Sequence, residues 1–341
     1  MSEVENEKPL ISVVVPCRNE SQYIERTINS LLRQSNIPGK IEIIVVDGES
    51  SDGTKEILEK IKLKDSRIKI ISNPEKITPV AMNLGIKNAL GEYVALMGAH
   101  TIYDQSYLSE CLALFMIDPS IMCTGGPIIN EGVTGFGEAA ALAMSNPVGV
   151  GNAKHRFPEY EGFAEGAGFP VFKKEVFDKI GLYDEGMLKN QDDELNYRLT
   201  KQGFKVFLSP KAKSKYFVRT TPVELFKQYF NYGYWRVAVI KKHKLPVSIR
   251  QVVPALFLLS MLFFICLGII INQLFVSLLI PLIYLLTILL FDIKIIIKNG
   301  IKTGALFSLA VVILHFSYAT GFLSGLRLML TKKIDVTTFI I

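Results

Sequence analysis

Cysteine and histidine are scarce, with four of each in 341 residues. Cys17, Cys111, Cys123 and Cys266 show no Cys-x-x-Cys or Cys/His spacing. That excludes a zinc ribbon, a thioredoxin-like redox pair and a disulfide scaffold, and reads as reduced, mostly buried thiols. No Gly-Lys-Ser/Thr phosphate loop occurs, which argues against an ATP-driven helicase or other nucleic-acid motor. The start, Met1 to Lys8, is acidic rather than a basic-then-apolar leader. The first 220 or so residues are therefore expected on the cytoplasmic side. Charge is missing altogether from Val252–Ile271 and from Gln273–Phe291, and Gly304–Leu326 carries only His315 as an ionisable group. Each run approaches the ~20 residues needed to cross ~30 Å of hydrocarbon. Three membrane spans are predicted, at about 252–271, 273–291 and 304–326, the last with small residues suited to helix packing.

What is present begins with two β-branched runs, Ile11–Pro16 and Ile41–Val46. Continuous runs of this kind read as parallel strands buried on both faces. Between them, Tyr23, Ile24, Thr27, Ile28, Leu31 and Leu32 recur at helical spacing, so the unit is βαβ. The second strand ends in Asp47-Gly48-Glu49-Ser50-Ser51-Asp52-Gly53-Thr54. A strand end of this kind is where open α/β sheets bind ligands. An alternative reading is a turn that caps the next helix through Ser51 or Asp52. Strand–helix alternation continues to about Gly125. Residues 126–170, rich in Gly, Ala and Asn, then read as a long functional loop, and Asp192–Gln202 as a helix stopped by Gly203.

Thr221-Pro222-Val223-Glu224 combines capping-box spacing with proline at the first helical position. The aromatic helix it starts is expected to lie in a membrane interface, with packing on the globular domain as the competing arrangement. Lys201 to Arg250 holds twelve Lys or Arg against one acid, Glu224. The positive-inside rule explains Lys241, Lys242, Lys244 and Arg250; attraction to anionic lipid or a lipid-linked phosphate adds a second reason. The predicted organisation is a domain at 1–220, an amphipathic and basic segment at 221–250, and a membrane region at 251–341. The tail basic residues Arg327, Lys332 and Lys333 leave the side of the C-terminus open.

Several stretches, in order and at characteristic spacing, resemble glycosyltransferase family 2. They are Val14-Val-Pro-Cys-Arg-Asn-Glu20, Val45-Val-Asp-Gly-Glu-Ser-Ser-Asp-Gly-Thr54, Asn83-Leu84-Gly85, Phe172-Lys173-Lys174-Glu175, Gly181-Leu182-Tyr183-Asp184-Glu185, and Asp192-Asp-Glu-Leu-Asn-Tyr-Arg-Leu199. The likeness runs from about Ile11 to Lys244 and is strongest to the membrane-anchored, succinoglycan-biosynthesis-like branch. It implies an α/β fold of GT-A type, a Rossmann-like domain with a mixed sheet, followed by the interfacial helix and about three transmembrane helices.

The resemblance also implies a nucleotide-sugar donor, a UDP- or GDP-sugar, across the first strand ends. Asp47 would accept from the base, with Pro16, Arg18 and Glu20 lining base and ribose, and Asp52, Asn83, Gly98 and Ala99 completing the donor site. An ionised Asp is an acceptor only, so it selects a base edge that presents an N–H. Glu20 is equally a dipole-favoured residue of a first helical turn.

Where such transferases carry Asp-X-Asp or Asp-Ala-His, this chain reads Gly98-Ala99-His100. A divalent cation, Mn²⁺ or Mg²⁺, prefers carboxylate oxygens. Three readings follow: a cation held by His100 with Glu165 or Asp104; a diphosphate neutralised by Lys or Arg; or an inactive site. Asp192, at a helix start where relatives place a catalytic Asp, is the expected general base, with a simple helix cap as its structural alternative. Gln191 replaces the usual preceding Glu, which is expected to lower the pKa of Asp192.

A phosphate acceptor is already ionised and needs no base, so a retained Asp192 points to a hydroxyl acceptor on a lipid-linked, polyprenyl-diphosphate glycan. Arg236 and Lys173 are the expected acceptor-phosphate contacts, supported by Lys211, Lys213, Lys215 and Arg219. The expected protein is a multi-pass enzyme of the cell membrane with a cytoplasmic catalytic domain and no nucleic-acid partner. A polyprenyl-phosphate glycosyltransferase and a non-catalytic homologue that binds nucleotide or lipid are the rival readings.

Overall fold

The computed structural model describes residues 8–244 and 248–331. The acidic start and Lys332 and Lys333 lie outside the described residues. In chain order the elements are β1 (Ile11–Cys17), α1 (Ile24–Leu32), β2 (Ile41–Asp47), α2 (Thr54–Lys62), β3 (Ile68–Ser72), α3 (Thr78–Asn88), β4 (Tyr93–Leu96), β5 (Thr101–Tyr103), α4 (Tyr107–Leu114), β6 (Ile121–Gly125), β7 (Ile128–Glu131), α5 (Gly135–Met144) and α6 (Pro147–Val150). There follow β8 (Gly162–Ala164), β9 (Val171–Lys173), α7 (Val176–Ile180), α8 (Gln191–Lys201), β10 (Lys205–Leu208), β11 (Ser214–Phe217), α9 (Pro222–His243), α10 (Val253–Ile270), α11 (Leu274–Asn299) and α12 (Ile301–Leu330).

Two compact units result: the described residues of Met1–Ile129 with Phe157–Tyr216, and Asn130–Arg156 with the described residues of Phe217–Ile341. The first holds an eight-stranded sheet in the order β3-β2-β1-β4-β9-β6-β10-β8. β1 runs parallel to β2 and β4, whereas β9 is antiparallel to both β4 and β6, so the sheet is mixed as expected. Val13, Val15, Ile43 and Val45 face one core cluster and Val14, Ile44 and Val46 the other. Helices cover both faces, which is why β1 and β2 are apolar without alternation. Parallel register sets Cys17 beside Asp47, so both strands end on one line.

The second unit departs from the sequence reading. Residues 126–170 are not a structureless loop: α5 and α6 form within them, and Asn130–Arg156 group with the C-terminal helices. Thr134 caps α5 by accepting from the Gly137 amide at 2.9 Å. The small residues Ala139, Ala140 and Ala143 are buried, and their lack of contrast hides a helix from periodicity.

The start of α9 is as predicted: Thr221 Oγ1 accepts from the Glu224 amide at 3.3 Å and donates to the Glu224 carboxylate at 2.9 Å. Its aromatic surface packs along α12. A Cβ at Gly233 would strike the Tyr318 carbonyl, and one at Gly321 or Gly325 would strike the Phe230 or Tyr234 carbonyl. Small residues four apart let the two backbones approach, as in membrane helix pairs. α10, α11 and α12 are each long and apolar enough to cross a membrane.

Candidate active site

The first part of the site is the turn after β2. Asp47 is 3% exposed. Its carboxylate accepts from Ser50 Oγ at 2.5 Å and the Ser50 amide at 3.1 Å, with Lys55 Nζ at 3.9 Å. Cys17 Sγ approaches it at 3.8 Å, and burial followed by that charge pushes the thiol far above its usual pKa. Asp47 therefore organises the turn. Asp52 does related work. It accepts from the Ser21 amide at 3.0 Å and Thr54 Oγ1 at 2.6 Å, and these hydrogen bonds, Thr54's first, hold its carboxyl well below the ordinary range. Asn19, in the left-handed region at φ 56°, accepts from the Ser51 amide at 2.9 Å. The stretch after β1 and the turn after β2 are thus tied together, with Arg18 exposed and lying over Gly48. Pro16 lies one residue before the end of β1, paired in register with Val46.

The second part is the corner after β4. The Gly98 amide donates to Tyr103 Oη at 2.7 Å, and a Cβ on Gly98 would sit 3.0 Å from the Phe169 ring and 3.2 Å from Thr101 Oγ1. The space of the missing carboxylate is filled by an aromatic side chain. The Ala99 carbonyl accepts from Thr27 Oγ1 at 2.7 Å. His100 Nδ1 lies 3.2 Å from Glu20 Oε1, and Tyr23 and Tyr216 flank the ring at centroid distances of 6.5 and 5.6 Å. An ionised Glu20 can only accept, so Nδ1 carries the proton and Nε2 presents a lone pair. Glu20 is thus the carboxylate seen beside His100. Asp104 turns to Ser106, whose amide and hydroxyl it accepts at 3.1 and 2.9 Å. Among the described residues no three His, Cys, Asp or Glu side chains gather into a cation site. A carboxylate that fixes the far nitrogen is the usual companion of a metal-ligating histidine, so His100 is a residue that could serve as one ligand to a divalent cation.

The third part is the start of α8. Asn190 takes the left-handed conformation at φ 57°, and Asp192 follows in the first turn. Its side chain reaches solvent, yet protein surrounds it closely. Burial, then the neighbouring Asp193 charge, pushes its pKa up to about 6, against a hydrogen bond from the Tyr183 hydroxyl. Gln191 adds no charge to this balance, and burial sets the direction. Tyr183 was not singled out as a site residue by the sequence reading, and Asn83 holds its backbone by two hydrogen bonds. Asn83 accepts from the Tyr183 amide and donates to its carbonyl, both at 2.9 Å, and donates to Glu185 at 2.9 Å. Asn83 thus braces the segment that carries Tyr183. Arg198 donates to the Leu182 carbonyl at 2.8 Å and to the Ile180 carbonyl, while its guanidinium pairs with the fully buried Glu194 at 2.7 Å. The motifs Gly181–Glu185 and Asp192–Leu199 are one brace.

Lys173 lies on β9. It pairs in register with Tyr93, at the opposite end of β4 from Gly98, and its ammonium lies 5.5 Å from the Phe115 ring centroid. Arg236, 9% exposed, belongs to the second unit, and Glu165 follows β8 in the first.

The pattern of Glycosyl transferase family 2 matches residues 12–181. The succinoglycan biosynthesis protein ExoA of Rhizobium meliloti (strain 1021) is 31% identical over 248 residues, 71% of this chain and 73% of its own. The chain belongs to glycosyltransferase family 2. A second family relative comes from Methanococcus voltae, the dolichyl N-acetyl-alpha-D-glucosaminyl phosphate 3-beta-D-2,3-diacetamido-2,3-dideoxy-beta-D-glucuronosyltransferase. It is 27% identical over 327 residues, 93% of this chain and 97% of its own. Among solved structures, the mannosyltransferase PcManGT from Pyrobaculum calidifontis, in complex with GDP-Man and Mn²⁺, superposes with a TM-score of 0.57 at 14% identity. It covers 94% of this chain and 88% of that one, a likeness of fold. This family 2 member is a glycosyltransferase with a GT-A-like mixed sheet and three apolar helices able to span a membrane.

Proposed function

We propose that this family 2 enzyme transfers a sugar, with inversion, from a UDP- or GDP-sugar to a hydroxyl of a lipid-linked glycan. The observation that carries this is Asp192, a solvent-reaching carboxylate with its pKa pushed up to about 6 and its position set by Tyr183. General bases work best with a pKa near the operating pH. As the acceptor oxygen attacks the anomeric carbon, its proton passes to Asp192. The bond from that carbon to the diphosphate breaks, and the nucleoside diphosphate leaves with the electron pair. The like charge at Asp193 makes Asp192 more willing to take the proton.

The donor's base lies over the turn built by Asp47 and Asp52, beside Pro16, Arg18 and Glu20, and its diphosphate lies at Gly98-Ala99-His100. His100 Nε2 would hold a divalent cation with the diphosphate, and such a cation neutralises charge developing on the leaving group. The protein is multi-pass, with its catalytic unit on the cytoplasmic side, consistent with Lys241, Lys242, Lys244 and Arg250 ahead of the first span. A relative named for a dolichyl phosphate-linked substrate supports a lipid-linked acceptor here.

The test is a screen of UDP- and GDP-sugars, with and without Mn²⁺, using detergent-purified full-length protein and an isoprenoid-diphosphate-linked sugar acceptor. Transfer that Asp192→Asn abolishes supports the proposal. Transfer to an isoprenoid phosphate that survives Asp192→Asn overturns it, because a phosphate nucleophile needs no base. Absence of transfer and donor hydrolysis across the whole screen, with nucleotide still bound, establishes the non-catalytic alternative.

A further inference from the structure

The stretch from Gly135 to Val150, which holds α5 and α6, carries a single charged residue, Glu138. Neither helix is long enough to cross a membrane. An apolar stretch of ~10–14 residues is instead a buried core helix or a re-entrant membrane segment. What the stretch packs against decides between the two.

Its partners are the apolar helices of its own unit. A Cβ on Gly135 would lie 3.9 Å from Leu306 Cδ1, and one on Gly149 would lie 3.2 Å from Leu314 Cδ1, both on α12. α5 therefore starts beside the first turns of α12, and α6 ends further along it, where it also touches α11. The residue after Leu314 is His315. Its Nδ1 lies 2.9 Å from Tyr284 Oη of α11, and its ring is hydrogen-bonded to the backbone at Val148 and Gly149 as well. His315 stands at the centre of the charge-free run Gly304–Leu326, and Tyr284 near the centre of Gln273–Phe291. The middle of a span lies at the middle of the hydrocarbon, so the end of α6 lies deep in it.

Backbone at that depth finds no water, and a turn is tolerated there only where protein satisfies it. The turn between α5 and α6 meets this condition. Asn146 Oδ1 accepts from the Val148 amide at 3.0 Å, and its carbonyl accepts from the amides of Gly149 at 2.9 Å and Val150 at 3.1 Å. The Gly151 amide donates to the Pro147 carbonyl at 2.9 Å. A Cβ on Gly149 would sit 2.1 Å from the Ala143 carbonyl oxygen, so α6 folds back tightly on the end of α5. His315 then takes up backbone at the end of α6. An ionisable side chain inside a span is costly and is kept for a specific partner, which here is this turn. Pro147 is exposed, and Phe136, Leu142, Val148 and Val150 are partly so, all of them apolar.

We propose that Gly135–Val150 is a re-entrant membrane segment. Its partner is the acyl chains of the bilayer, and its tip at Asn146-Pro147 is anchored in the hydrocarbon by His315. The inference rests on α11 and α12 spanning the membrane, as in the proposed function.

The test measures depth by electron paramagnetic resonance on full-length protein in phosphatidylcholine nanodiscs. The exposed Cys266 is removed as Cys266→Ser, and the buried Cys17, Cys111 and Cys123 stay unlabelled. Nitroxides are attached to Pro147→Cys, to Leu286→Cys on the exposed side of α11, and to Lys60→Cys on the surface of α2. Oxygen concentrates in hydrocarbon and a nickel chelate in water, so the two collision rates report depth. The Pro147 label is expected to favour oxygen, as the Leu286 label does, while the Lys60 label favours nickel. His315→Leu is expected to cost the Pro147 label that preference and leave Leu286 unchanged; His315→Gln, which keeps a donor, is expected to retain it. Should His315→Leu fail to fold, the three labels in the otherwise native chain decide the matter. A Pro147 label that favours nickel beside a Leu286 label that favours oxygen overturns the proposal and leaves the spans standing. Nickel preference at both overturns the multi-pass reading, and this segment with it. Oxygen preference at Pro147 that survives His315→Leu overturns the anchoring by His315.

Discussion

Tyr183 donates its hydroxyl to Asp192, the one contact that favours the ionised carboxylate against burial and the charge of Asp193. Asp192 must be ionised to accept a proton, so kcat/KM should fall as pH drops below about 6. Tyr183→Phe removes the stabilising hydrogen bond and should move that acidic limb to higher pH. A pH–rate profile of the two proteins checks it; an unmoved limb shows that Tyr183 only fills space.

Asp192→Asn separates catalysis from stability. Transfer should fall by ~10²–10⁴-fold, the usual contribution of a positioned base. The folded pKa lies above the ordinary carboxylate value, so the folded state binds the proton more tightly than the unfolded chain. Stability therefore declines as pH rises from about 4 to about 6 and stays lower above that. The amide carries no such cost. The variant should melt higher than wild type at pH 8, and the gain should shrink toward pH 4, as differential scanning fluorimetry over pH would show.

Glu194 and Arg198 hold the brace beneath the base. Glu194 is fully buried, and Arg198 spends its remaining donors on the carbonyls of Ile180 and Leu182. Glu194→Ala leaves that guanidinium without its counter-charge and should destabilise by ~3–5 kcal/mol. Chemical denaturation of the full chain measures it.

The parts of this molecule that sequence reasoning reached are those with strong contrast. β1 and β2 are unbroken β-branched runs, the capping box at Thr221 is a fixed spacing, and the three spans are defined by missing charge. What it missed depends on partners far apart in sequence. The sequence does not show that the Asn83 amide holds the backbone of Tyr183, a hundred positions away. No spacing announces that β9 runs antiparallel, which sets Lys173 opposite Tyr93. The alanines of α5 have no polar face, so periodicity was silent about a buried helix. The quoted Gly181–Glu185 motif was the signal for Tyr183, but a motif does not say which of its side chains meets the base.

Glu20 should act through His100. With Nδ1 engaged at 3.2 Å, the ring offers Nε2 in a fixed direction. Glu20→Gln can donate its amide to Nδ1 and so favours the other tautomer. Mn²⁺ affinity in the presence of UDP should drop by about 10–100-fold, as for other partners that orient a metal-bound histidine. Electron paramagnetic resonance titration of free Mn²⁺ reads this directly, and an unchanged affinity would remove His100 from the cation's ligands.

Gly98→Asp restores the carboxylate that family resemblance leads one to expect, and it should not restore a stronger cation site. A Cβ there already meets the Phe169 ring at 3.0 Å and Thr101 Oγ1 at 3.2 Å, and Tyr103 holds the Gly98 amide at 2.7 Å. A carboxylate must displace Phe169, which also packs edge-on against Tyr103, with ring centroids 5.3 Å apart. Overpacking of this kind costs ~1–3 kcal/mol. The single variant should therefore melt earlier without gaining Mn²⁺ affinity. Gly98→Asp combined with Phe169→Ala opens the space and should bind Mn²⁺ more tightly than wild type. If the single variant alone gains affinity without loss of stability, the aromatic corner is not what replaced the missing acid.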